Sequence, residues 1–164
     1  MTLQNIPKIS RRNILAVSAT VLLSACVSSR APKLSGNTSD ETGAALAMVN
    51  KLREGRGLSP LSANTRARQA AASQAVRMAK ADKMSHLIGL GDSFLSRMKS
   101  HSVPLPAAEN IASGQAEVQR AVQAWIDSPK HLENMLGNYH GLGVAVARDA
   151  SSGNRPYWAM VLSS

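Results

Sequence analysis

The order of the hydrophobic patterns is what most constrains this chain. Helix-spaced apolar residues come first, and two strand-like runs come last. The run "GLGVAVARD" (141–149) and the run "PYWAMVLSS" (156–164) are separated by "SSGN" (151–154). Apolar runs rich in valine and aromatics around a Gly-Asn turn predict an antiparallel hairpin. A chain that supplies helices and then a hairpin can bury both only by packing helices on sheet faces, which is an α+β layered fold.

The helical segments are read from spacing. In "DETGAALAMVNKLREGRG" (40–57), Ala45, Met48, Val49 and Leu52 share one face, and Gly55 and Gly57 end the pattern. Ser39 or Asp40 is the expected cap. "SANTRARQAAASQAVRMAKADKM" (62–84) predicts a second helix started by Asn64 or Ser62, with the small inner stripe Ala67, Ala70, Ala71, Ala75 and Met78. Small residues let a neighbouring element approach closely. Periodicity then fades, although "SFLSRM" (93–98) fits a short helix and "AENIAS" (108–113) a short extended piece. In "GQAEVQRAVQAWIDS" (114–128), Val118, Ala121, Val122 and Trp125 form one face. Ser128-Pro129 stops that helix and starts the next, "KHLENML" (130–136). Trp125 and Trp158 lie within apolar patterns and read as core residues.

The first 25 residues belong to a different regime. Lys8, Arg11 and Arg12 precede an apolar run of 12 residues, Ile14 to Ala25. That is short of the roughly 20 residues needed to span a bilayer, and it reads as an export signal. It ends in "LSAC", which looks like a bacterial lipobox and places the single cysteine, Cys26, at the lipidation position. "SRRNIL" (10–15) also resembles the twin-arginine export signal, so either the general or the twin-arginine route is open. Val27 stands where an aspartate would favour inner-membrane retention, which points to the outer membrane, facing the periplasm, in a Gram-negative cell. The expected organisation is a signal peptide (1–25), a lipidated cysteine with a Ser-rich tether (26–39) and one domain (40–164). With Cys26 acylated, by palmitate among other chains, the domain has no internal disulfide and is stable without one.

The formal net charge is +9, and removing residues 1–25 with their three basic groups leaves 16 basic and 10 acidic residues, or +6. This favours anionic envelope partners such as phospholipid headgroups, wall polymers or lipopolysaccharide. The scarcity of aromatic residues and the absence of long basic blocks argue against nucleic acid.

Three residues in polar or loop settings can carry chemistry: His86, Glu109 and His131. Two imidazoles and a carboxylate fit a Zn²⁺ or other divalent site with an open position. They equally fit a hydrogen-bonded network in which Glu109 orients one imidazole. His131 also fits as an ordinary exposed residue of a first helical turn. His101 and His140 read as surface or loop residues. No G-x-S-x-G, H-E-x-x-H or P-loop motif occurs, and no cysteine remains as a nucleophile.

Taken together, "VNKLREGRGLSPL", "AAASQAVRMAKADKMSH", "AENIASG", "AVQAWIDSPKHLENML", "YHGLGVAVA" and "YWAMVL" resemble, in order and spacing, the bacterial branch of the CAP superfamily. This is the SCP-like fold of cysteine-rich secretory, antigen 5 and pathogenesis-related 1 proteins. The resemblance runs from about residue 42 to 162. It implies an α-β-α sandwich with a small antiparallel sheet between helical layers. It also implies that His86, Glu109 and His131 line one cleft, where some relatives bind a divalent metal. Two positions depart from the family pattern. Ser128 stands where eukaryotic relatives carry a second glutamate, with Asp127 beside it, and Ala108 replaces the glycine before Glu109. The resemblance implies a binding module for lipid, cell-wall or protein partners, with metal-assisted hydrolysis of peptide or wall material as the alternative.

Overall fold

The computed structural model describes residues 37–164. Cys26, the export signal and most of the expected tether lie outside the described residues. The chain runs β1 (Thr38–Asp40), α1 (Thr42–Glu54), β2 (Ser62–Ala63), α2 (Thr65–Ala81), α3 (Phe94–Ser100) and β3 (Ala107–Ser113). It continues as α4 (Val118–Ile126), α5 (Pro129–Met135), β4 (Gly141–Ala147) and β5 (Tyr157–Ser163). Among the described residues no helix is long and apolar enough to cross a membrane.

The closing hairpin forms the centre of the sheet. β4 pairs antiparallel with β5, and β5 pairs antiparallel with β3, which is the edge strand. On its other side β4 takes β1 antiparallel and β2 parallel. The piece expected to be short and semi-extended is thus a full seven-residue strand. Its ladder to β5 runs from Ala107↔Ser163 to Ser113↔Tyr157, and that long-range pairing is not visible in local sequence. Thr38 and Ser39, at the end of the expected tether, pair with Ala147 and Val146.

Strand alternation sends side chains to two separate cores. Leu142, Val144, Val146, Trp158, Met160 and Leu162 face α1, α4 and α5. Ala145, Ala147, Tyr157, Ala159, Val161 and Ile111 face α2 and α3. Trp125 and Trp158 are each 1% exposed, and their indole N–H groups donate to the carbonyls of Ile111 and Gln115. This satisfies the polar edge that would otherwise be costly to bury.

All five residues of the expected inner stripe of α2 are buried. They bring the helix so close to β4 that a Cβ on Gly143 would sit 2.0 Å from the Arg68 nitrogen. Asn64 caps α2 by accepting from the Arg66 and Ala67 N–H groups. At α1, Asp40 accepts from the Thr42 N–H although Glu41 occupies the cap position. Ser128 makes no side-chain cap bond to α5, which starts instead with Pro129 in its first turn.

Candidate functional site

Edge strand β3 touches both histidine-bearing segments, through the ring of His86 and the backbone of His131. Side chains alternate along it, so Glu109 points to the α2–α3 side and Asn110 to the α5 side. Glu109 is buried. Its Oε1 lies 2.9 Å from His86 Nδ1 and 2.8 Å from Arg97 Nη2, which donates to it. Asn110, fully buried, donates from Nδ2 to the His131 carbonyl (3.0 Å) and accepts at Oδ1 from Asn134 Nδ2 (2.8 Å). Asn110 thus ties down the backbone of α5.

His86 sits in an irregular loop, yet its backbone is pinned. Gln74 is fully buried on α2, and its amide donates to the carbonyls of Ser85 (2.8 Å) and His86 (3.3 Å). Arg77 donates to the Ile88 carbonyl, to Gln74 Oε1 and to Asp92 Oδ2. Asp92 accepts in addition from the Ile88 N–H and from Arg97. The Asp92 side chain is 6% exposed. Burial alone would raise its pKa, but the hydrogen bonds from Arg77, Ile88 and Arg97 outweigh that and hold the carboxyl well below the usual carboxylate range. Arg77, Asp92, Arg97 and Glu109 thus form a line of alternating charge that ends at His86.

Arg97 and the rest of this line were not expected from sequence. Arg97 bridges Asp92 and Glu109 and lies over the Phe94 ring at 5.8 Å from its centroid. A signal for Gln74 was present, because it falls on the inner stripe of α2 between Ala71 and Ala75 and Met78. A glutamine inside an alanine stripe implies a specific buried partner.

His131 is half-buried on α5. Its pKa is lowered, first by burial and then by repulsion from His86. With Nδ1 engaged by Glu109, His86 keeps Nε2 for a ligand or proton, and its side chain is 50% exposed. Asp127 is exposed and bonded to Gln123, away from this constellation. His140 is exposed, and His101 closes the end of α3.

The donor set does not fit a cation ligated by all three residues. Among the described residues no group of three or more His, Cys, Asp or Glu side chains is gathered so as to hold a metal ion. Glu109 Oε1 is shared by an imidazole and a guanidinium, and Arg97 places a positive charge where a metal would need the carboxylate. Glu109 Oε2 is buried without a hydrogen-bond partner. What the arrangement provides chemically is an imidazole oriented by a buried carboxylate and, on α5, a second imidazole held toward its neutral form.

Comparison with known proteins agrees with this architecture. The protein YkwD of Bacillus subtilis is 29% identical over 106 residues, covering 63% of this chain and 41% of YkwD. The chain therefore spans about two fifths of that curated relative. An outer surface protein of Borrelia burgdorferi superposes with a TM-score of 0.66 at 21% identity, covering 78% of this chain and 97% of that one. An extracellular SCP-domain protein of Bacillus anthracis gives 0.65 at 21% identity, covering 76% and 40%. These two structures show the shared fold. The model of the cysteine-rich secretory protein family matches residues 46–162, so that the strand holding Glu109, the helix holding His131 and the loop holding His86 all fall within it, and the chain belongs to the CAP family.

Proposed function

We propose that this protein is an exported, lipid-anchored CAP module that binds lipid, cell-wall or protein partners of the cell envelope without catalysing a reaction. The observation that carries the reading is a contrast at the His86 segment. Most charged groups there are paired with one another, whereas large apolar side chains are left to solvent. Met84 and Leu87 are each 52% exposed and Leu90 is fully exposed, with Leu95 and Leu105 at 47%. Several exposed large apolar side chains between residues 84 and 105 support a contact role for this part of the chain. The +6 charge of the mature chain supports an anionic partner, and the Borrelia and Bacillus anthracis neighbours are an outer surface and an extracellular protein.

Two experiments test this. The full chain is mixed with anionic lipid vesicles and with wall fragments, and saturable binding to one of them is expected; binding to neither overturns the module reading. Separately, Cys26→Ser should move the protein from the membrane fraction to the soluble one. A variant that stays with the membrane removes the lipid anchor.

One geometric feature favours a second reading, hydrolysis of peptide or wall material at His86 and His131. Glu109 aligns the His86 ring, and His131 is held toward the neutral form that can accept a proton. Turnover of wall peptides lost on His131→Ala, in a domain that stays folded, would establish it. Turnover indifferent to that change and to a chelator would eliminate it.

A further inference from the structure

A second constellation, made of other residues, lies where the α1–β2 connection meets the α5–β4 connection. Arg53, at the end of α1, is 3% exposed. Among the described residues its guanidinium has no carboxylate partner. Nε donates to the Ser59 carbonyl, and Nη1 donates to the carbonyls of Met135 and Gly137, all at 2.9 Å. Nη2, which carries two further N–H groups, makes none of these bonds. A buried guanidinium ordinarily faces a carboxylate. Here the carbonyls at the end of α5 supply only about half a negative charge, and burial without a counter-charge pulls the Arg53 pKa down from its ordinary range.

Arg53 lines a cavity of about 260 Å³ together with Ser59, Asn138, Tyr139 and His140. No Asp or Glu lines it. The wall thus offers a cation, the imidazole of His140, and the hydroxyl and amide donors of Ser59 and Asn138. None of its lining side chains carries a negative charge.

We propose that this cavity binds a small oxyanion, a carboxylate or phosphate group, at Arg53 Nη2 with His140 at its rim. The bound oxygen supplies the counter-charge that the fold withholds from Arg53, in a charge-assisted hydrogen bond. This site is independent of the His86 segment, so it stands or falls separately from the binding reading above.

The test is titration of the full chain with inorganic phosphate and, separately, with acetate at constant ionic strength, followed by amide and histidine-ring NMR. Saturable shifts confined to Ser59 and residues 137–140 are expected with at least one probe. Phosphate as the better probe points to headgroups or wall phosphates, and acetate to the carboxylates of wall peptides. Substituting Arg53 would break bonds that hold the fold, so the decisive variant is Asn138→Asp. It puts a carboxylate in the wall while leaving Arg53 untouched, and should weaken binding about tenfold or more through like-charge repulsion. His140→Ala should weaken it by about threefold, a surface-charge effect. Shifts that never saturate, that saturate elsewhere, or that persist unchanged in a folded Asn138→Asp variant would overturn the proposal.

Discussion

Glu109 and Asn110 are neighbours on β3 that point to opposite faces of the sheet, and each holds one of the two histidine-bearing segments. Glu109 takes the ring of His86, while Asn110 takes the backbone of His131. One edge strand therefore sets the spacing between two imidazoles that are 45 residues apart in sequence. The two contacts differ in kind, and their removal should differ in effect.

Asn110→Ala removes the partner of the part-buried His131 carbonyl and Asn134 amide. Loss of a buried hydrogen-bonding group costs roughly 1–3 kcal/mol, and two partners are affected here, so a loss of about 3 kcal/mol is expected. The damage should be local to α5. Denaturant melts measure the loss, and faster hydrogen exchange across residues 129–135 locates it. His131→Ala, by contrast, keeps the backbone carbonyl that Asn110 binds, and should leave stability within about 0.5 kcal/mol.

Glu109→Gln preserves shape and removes charge. Arg97 then keeps only Asp92 as an acidic partner. Breaking a buried pair outright costs roughly 3–5 kcal/mol. Since Asp92 still compensates Arg97, a loss of about 2 kcal/mol is expected. A double-mutant cycle with Arg97→Met checks the assignment. Coupling near zero would mean that Arg97 and Glu109 do not act as a pair.

Three displaced groups set the expected shape of the pH dependence, and His101, lowered by burial and by Arg97, adds to the same acid-side loss as His131. The folded pKa of His131 lies below 6.5, through burial and the His86 charge. The unfolded chain therefore binds that proton first, and the stabilisation is complete above pH 6.5 and lost as pH falls below it. Asp92 behaves in the same sense at lower pH. Its folded carboxyl titrates well below 3.8, so a second loss sets in as pH drops through the ordinary aspartate range. Tyr157 is opposite in sign. Burial and its hydrogen bond to Asp82 raise its pKa above 10.0, so the unfolded state loses the proton first and stability declines above pH 10. Urea melts from pH 3 to 11 should show a plateau near neutrality with falls on both sides. The decline just below pH 6.5 should be shallower in His131→Ala, and an unchanged slope would remove His131 from this account.

The elements with strong local patterns were legible in the sequence. The buried face of α4 is the expected set Val118, Ala121, Val122 and Trp125, and the closing hairpin forms as read. What was not legible depends on distant partners. Nothing local marks Ala107–Ser113 as a strand paired along its whole length with the C-terminal one. The candidate site divides in the same way. Family resemblance placed His86, Glu109 and His131 in one cleft, and the ring contact of His86 with Glu109 accounts for two of them. Arg97 lies in a short surface-like helix, and only the fold reveals that its guanidinium bridges Asp92 and Glu109. Arg53 was hidden for a similar reason. It reads as a solvated basic residue at a helix end, yet it is buried under the carbonyls of a segment more than 80 residues later.

Gly143 gives the sharpest test of how the layers meet. It lies in the middle of β4 on the face covered by α2, where a side chain of any size has no room. A Cβ would stand 2.0 Å from the Arg68 nitrogen and 2.4 Å from the Ala67 carbonyl carbon. Both are backbone atoms of the first turns of α2, so no side-chain rotation relieves the clash. The helix must move away from the sheet, opening the alanine packing of Ala67, Ala70 and Ala71. Overpacking of a core costs roughly 1–3 kcal/mol even where side chains can adjust. Gly143→Ala is therefore expected to cost about 3 kcal/mol or more. The same change at Gly43, which has nothing within 4 Å of a built Cβ, should stabilise α1 by about 0.5–1 kcal/mol through helix propensity. Thermal melts of the two variants in parallel check the pair, and a Gly143→Ala protein as stable as the parent would mean that α2 is not seated on β4 at this distance.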